Sequence, residues 1–165
     1  MESDFNGFLK IDPADGRYLS FENGNFFYPT SLIVRTPYEN RWKYNYNFEP
    51  PSKESGVYAY EEFFTAMAEA GIRLTRVWMA SWWAALEWSA EYGPEYEGLG
   101  RYSQRNAWRL DYVVGLAERL GLYTNVTLHN HGQFSVKTDA EWADNPYNRL
   151  NGGFLDAPEE FWMDE

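Results

Sequence analysis

Gly71-Ile72-Arg73-Leu74-Thr75-Arg76-Val77-Trp78 decides the fold. The run from Ile72 is too short for a helix, is rich in apolar and β-branched residues, and follows a glycine, so it reads as a buried strand. Upstream, apolar side chains at Tyr60, Phe63, Phe64, Met67 and Ala70 keep the 3.6-residue spacing of a helix stripe, which Gly71 can end in the left-handed conformation. Downstream, Ser103 can cap a second helix whose stripe is Ala107, Leu110, Val113, Val114, Ala117 and Leu120, ended by Gly121. Leu122 to Leu128 then reads as another strand, and Ser31-Leu32-Ile33-Val34 as an earlier one. Strand, helix, strand, helix, strand is the pattern of a parallel sheet with crossover helices.

Before it, Phe8-Leu9-Lys10-Ile11 and Tyr18-Leu19-Ser20-Phe21 form a predicted hairpin around Asp12-Pro13-Ala14-Asp15-Gly16, and Asn23-Gly24-Asn25 makes a second turn ahead of Phe26-Phe27-Tyr28. Tyr38 to Gly56 and Ala80 to Tyr102 read as long loops. Pro158-Glu159-Glu160-Phe161-Trp162 reads as the opening of a third helix. The expectation is a single domain over 1–165, with a hairpin segment at 1–28 and β/α units over 29–165. The turns that lead from helix to strand are one glycine long, whereas the connections that leave the strands are long and aromatic. In parallel α/β folds the carboxyl ends of the strands carry function.

Composition narrows the classes. Of 165 residues, 8 are Trp, 13 Tyr and 11 Phe. A core rarely needs so many indoles, because each buried N–H wants an acceptor. This predicts a cleft lined with rings. The net charge of −11, with 14 basic residues scattered among 25 acidic ones, argues against nucleic acid, whose binders cluster their cations. No long apolar run suggests a membrane span, and the acidic start Met1-Glu2-Ser3-Asp4 is unlike a signal peptide; compartment stays open between cytoplasm and a mature exported form. With no Cys, disulfides and thiolate metal sites are excluded. The sequon Asn125-Val126-Thr127 falls inside a predicted strand and is set aside.

Trp78, Trp82, Trp83 and Trp88, with Tyr92, Tyr96 and Tyr102, follow the second predicted parallel strand. Their flat faces suit the C–H-rich faces of sugar rings, though some must only cover the sheet. Arg76 shares a strand face with Ile72, Leu74 and Trp78; a guanidinium there requires a carboxylate or carbonyl partner, either to hold a catalytic carboxylate ionised or as a plain ion pair. His129 and His131 are the only histidines and flank Asn130 at the next strand end. They could hydrogen-bond sugar hydroxyls, steady the loop, or ligate a metal, but with no further His or Cys the remaining ligands would all be oxygens. Glycoside hydrolysis needs two carboxylates about 5 to 10 Å apart; Glu87, Glu95, Glu97, Asp139, Glu141 and Asp144 lie in loops and read as solvated.

Gly7-Phe8, Asp15-Gly16-Arg17-Tyr18, Phe21, Asn23-Gly24-Asn25-Phe26-Phe27 and Pro29 resemble the opening segment of clan A glycoside hydrolases, above all the bacterial cellulase-like proteins grouped around glycoside hydrolase family five. Gly71 to Trp78, Ala107-Trp108-Arg109-Leu110-Asp111, Ala117 to Tyr123, and Asn145-Pro146-Tyr147-Asn148 with Gly152-Gly153 continue the resemblance. It implies a partial (β/α)8 TIM barrel of about three β/α units behind the hairpin, a barrel that complete takes about 250 residues. It implies a carbohydrate substrate, β-linked and cleaved with retention in the parent enzyme, and no cofactor. It matches Arg76 to the Arg that supports the nucleophile and His129 to a His lining the sugar site. The catalytic Glu residues of such enzymes follow the fourth and seventh strands, so this chain is expected to contain neither and to be inactive alone. Trp78, Trp82, Trp83, His129, Asn130 and His131 are the expected substrate contacts. An unpaired sheet edge invites self-association. The competing readings are a non-catalytic carbohydrate-binding protein using the Trp loop, and a metal-dependent hydrolase centred on the two histidines.

Overall fold

The structure is a computed structural model that describes residues 6–37, 56–88 and 98–163. Most of the Tyr38 to Gly56 loop, with Tyr92, Tyr96, Glu95 and Glu97, lies outside the described residues. Six strands and two α-helices are described: β1 (Leu9–Ile11), β2 (Leu19–Phe21), β3 (Phe26–Phe27), β4 (Ser31–Leu32), α1 (Ala59–Glu69), β5 (Leu74–Trp78), α2 (Gln104–Arg119) and β6 (Tyr123–Thr127).

The first three strands form an antiparallel meander, β1-β2-β3. Asp12 Oδ1 accepts from the Ala14 and Asp15 amides, and Gly24 takes a φ of +87° in the second turn. The other three form a parallel sheet, β4-β5-β6. β5 and β6 are in full register from Leu74 opposite Tyr123 to Trp78 opposite Thr127, whereas β4 pairs over two residues only.

Both helices are delivered into strands by the same device. The amide of Ile72 donates to Met67 O and that of Gly71 to Ala68 O; the amide of Leu122 donates to Ala117 O and that of Gly121 to Glu118 O. This is the double closure of a Schellman motif, which places its glycine in the left-handed region; Gly71 and Gly121 have φ of +76° and +70°. At the other end of α2 the Ser103 hydroxyl accepts from the Asn106 amide at 3.3 Å. One face of the parallel sheet, with Val34 and Val77, is buried under Tyr60, Phe63, Phe64 and Met67 of α1 and Val113, Leu116 and Ala117 of α2. On the opposite face, Phe21 and Phe27 of the meander pack their rings on Tyr123 at 5.4 Å each.

The expected partial (β/α)8 barrel is not what forms. Two helices and two small three-stranded sheets, one antiparallel and one parallel, are described, with no closed barrel. The physical reason lies after β6. The segment there makes short 3-10 turns at His131–Phe134, Trp142–Asp144, Arg149–Asn151 and Pro158–Trp162, so the predicted third helix is one tight turn. None of the described helices is long and apolar enough to cross a membrane.

Candidate functional site

Parallel register sets the carboxyl ends of β5 and β6 side by side. With side chains alternating along a strand, Thr75 and Val77 turn to the helices, where both are fully buried. Leu74, Arg76 and Trp78 therefore share the other face with Tyr123, Asn125 and Thr127. The meander rings close the Tyr123 end, and the part around Arg76 and Trp78 lies toward the strand tips.

Arg76 and Trp78 are half-buried. Arg76 Nε and Trp78 Nε1 are buried and find no hydrogen-bond partner among the described residues. The Arg35 guanidinium lies 4.8 Å from the centre of the Trp78 ring, a cation–π contact.

Two residues beyond β6, His129 sits in an aromatic box. Phe134, Tyr147 and Phe161 present their rings nearly perpendicular to it, with centroids at 5.2, 6.0 and 5.2 Å. Its Nδ1 is 3.0 Å from Gln133 Oε1, and Gln133 Nε2 donates to Met79 O, just past β5, at 3.1 Å. Asn145 Nδ2 donates to Gln133 O at 2.7 Å, which holds this turn from behind.

A second tie joins the same two segments. Ser81 Oγ donates to Glu141 Oε2 at 2.6 Å, and Asn130 Nδ2 lies 3.4 Å from Glu141 Oε1. Burial raises the Glu141 carboxyl above its ordinary 4.5; the hydrogen bonds from Ser81 and Asn130 and the charge of His131 oppose that rise, and Asp139 adds to it. Asn130 is buried, and its Oδ1 has no partner among the described residues. Gly132 is required at this point, because a Cβ would lie 2.5 Å from Asp139 O and 2.7 Å from Glu141 Oε1.

The third tie is Tyr147 to Glu87. Burial first, then the hydrogen bond to the Glu87 carboxylate, pushes the Tyr147 phenol up to about 12. Glu87 Oε1 also accepts from the Gly100 amide at 2.8 Å.

The residues singled out from sequence thus divide. Arg76, Trp78, His129 and Asn130 belong to the ends of two adjacent strands. His131 pairs with Asp139 at 2.9 Å on the surface, both well exposed. Trp82 is half-buried and packs against the core. Trp83 is enclosed in that core, 1% exposed, stacked on Tyr60 at 5.5 Å, and its Nε1 donates to Trp78 O at 2.6 Å; it offers no face to a ligand. Trp88 is buried, whereas Tyr102 is exposed.

Gln133, Phe134, Tyr147 and Phe161 were not singled out, and Glu141 was read as solvated. The one local signal was Gln133, four residues from His129 and next to Gly132. A cavity of about 490 Å³ between Ser135 and Asp156 is a different place: its polar rim is the Arg149–Asp156 pair, already joined at 2.7 Å. Among the described residues no group of three or more His, Asp or Glu is arranged to hold a metal ion. No protein-family model matches the sequence, and no curated protein matches it.

Proposed function

We propose that the carboxyl ends of β5 and β6 bind β-linked saccharide, and that the chain is the sugar-holding part of a glycoside hydrolase-type protein without hydrolytic carboxylates of its own. The observation that supports this is that the ends of two adjacent strands carry the boxed His129 and three buried polar atoms without a partner among the described residues: Arg76 Nε, Trp78 Nε1 and Asn130 Oδ1. A buried polar atom left unpaired is costly. Two donors and an acceptor suit a ligand rich in hydroxyls, which both donate and accept. Rings with a few convergent polar groups are the usual composition of a small-molecule site. The glycosidase part of the reading rests on the resemblance alone.

The test is calorimetric titration with cellotetraose and xylotetraose, alongside an assay for released reducing sugar. Binding is expected, with a loss of about tenfold for His129→Ala, a loss for Trp78→Ala, and no sugar released. Absence of binding to either oligosaccharide, or binding that both substitutions leave untouched, refutes the site. Appreciable turnover refutes the assignment of an inactive chain.

A further inference from the structure

We infer that Gln133 is a positioning residue that holds the His129 imidazole in the tautomer protonated on Nδ1, leaving Nε2 as a hydrogen-bond acceptor for a ligand hydroxyl. The identity of that ligand rests on the saccharide reading above; the tautomer does not.

The argument is one of donor and acceptor accounting. A neutral imidazole has one N–H and one bare nitrogen, and the neighbours decide which is which. Gln133 is 1% exposed, so its amide cannot exchange partners with water. Its nitrogen must face Met79 O at 3.1 Å, because turning the amide over would set two carbonyl oxygens against each other. Oε1 is then fixed 3.0 Å from His129 Nδ1. An amide oxygen only accepts, so Nδ1 must carry the proton.

Neither side chain has freedom to escape this. Asn145 anchors the Gln133 main chain at 2.7 Å, and Phe134, Tyr147 and Phe161 wall the imidazole on their edges. No hydrogen bond from the described residues reaches Nε2. A bare ring nitrogen recognises hydrogen-bond donors and repels carboxylate and phosphate oxygens. At this point Gln133 selects a polyol and disfavours an anion, although it touches no ligand itself.

The experiment is long-range ¹H–¹⁵N correlation on the full chain, at a pH where the imidazoles are neutral. With two histidines in the sequence, His131→Asn assigns the spectrum. The expected pattern for His129 is a protonated Nδ1 and a bare Nε2. A protonated Nε2, or the mixture seen in free histidine, overturns the inference. In Gln133→Met, which keeps the side-chain length and removes the acceptor, His129 should move toward the Nε2–H form, and cellotetraose affinity should fall about tenfold. An unchanged tautomer in that variant reduces Gln133 to a structural residue and also overturns the inference. Should the variant not fold, the wild-type spectrum still decides. If cellotetraose fails to bind the wild type, the saccharide reading falls while the spectrum continues to judge Gln133.

Discussion

Replacing Trp83 by Phe separates a core indole from a sugar platform. Trp83 is 1% exposed and stacks on Tyr60 at 5.5 Å with an interplanar angle of 29°. Its Nε1 donates to Trp78 O at 2.6 Å. Phe keeps much of the stack but lacks the donor and the second ring. Losing a buried donor from its acceptor costs about 1–3 kcal/mol. The space left by the smaller side chain costs about 1–2 kcal/mol more, since the walls relax only partly. The total is roughly 3 kcal/mol, which for a chain of this size lowers Tm by about 6–12 °C. Trp83→Ala should reach the upper end of the 3–5 kcal/mol typical of aromatic truncation. Trp82→Ala, at a half-buried ring, should cost about 1–2 kcal/mol. Urea unfolding followed by far-UV circular dichroism reads all three. If Trp83→Phe stays within about 0.5 kcal/mol of the wild type, the indole is not enclosed as described, and the packing of α1 against the strand ends is wrong.

Three further outcomes follow from the same geometry. Glu141 keeps its proton longer in the folded than in the unfolded chain, so wild-type stability should decline as pH rises from about 4.3 through the raised folded pKa; Glu141→Gln should lack that decline, and urea midpoints that track the wild type across this range would contradict it. Tyr147, held up to about 12, stays neutral after an unfolded tyrosine has ionised, so the stability it confers is present below about 10 and lost between about 10 and 12. In Tyr147→Phe one late phenol should vanish from the alkaline absorbance titration, while that of Tyr112, which Glu61 raises to about 12, and that of Tyr123, raised by burial, persist; an unaltered titration curve would count against the Glu87 contact. Finally, β6 is an edge strand with Asn125 and Val126 exposed and no Lys or Pro to guard it; sedimentation should show association that Val126→Lys suppresses, and a monomer at all concentrations would refute this.

The helix ends were legible because their cause is local: Gly71 and Gly121 supply the left-handed residue that each double closure demands. β5 and β6 were legible from their short β-branched runs, and the helices then bury one side of β5. Barrel geometry was not, since it came from resemblance and depends on contacts that no local pattern encodes. The third helix failed for a nearer reason. Pro158 marks a helix start, but Phe161 is drawn back onto Phe134 at 4.1 Å, and the chain closes as a 3-10 turn. Trp82 and Trp83 are identical neighbours, so no periodicity in a loop could say which one enters the core. Glu141 looked solvated because its partner Ser81 is 60 residues away. Gln133 gave only its spacing from His129, because its other partner, Met79, is 54 residues distant.

Those long separations also explain how a loop-built site gains its order. The segment after β6 contains only short turns, which by themselves would leave His129 free to wander. Three ties instead fasten it to the segment after β5: an amide to a carbonyl at Gln133–Met79, a hydroxyl to a carboxylate at Ser81–Glu141, and a phenol to a carboxylate at Tyr147–Glu87. Each draws one partner from either segment, so the segment after β6 is held against one that Trp83 already anchors in the core. Side chains held this way are positioned before a ligand arrives, which spares binding the entropy of arranging them. Damage to any one tie should therefore weaken binding through misplacement of His129, even where the altered residue never meets the ligand. The pairs are distinguishable in kind: loss of the Gln133 tie changes the proton's place on the imidazole, whereas loss of the other two changes only where the ring stands.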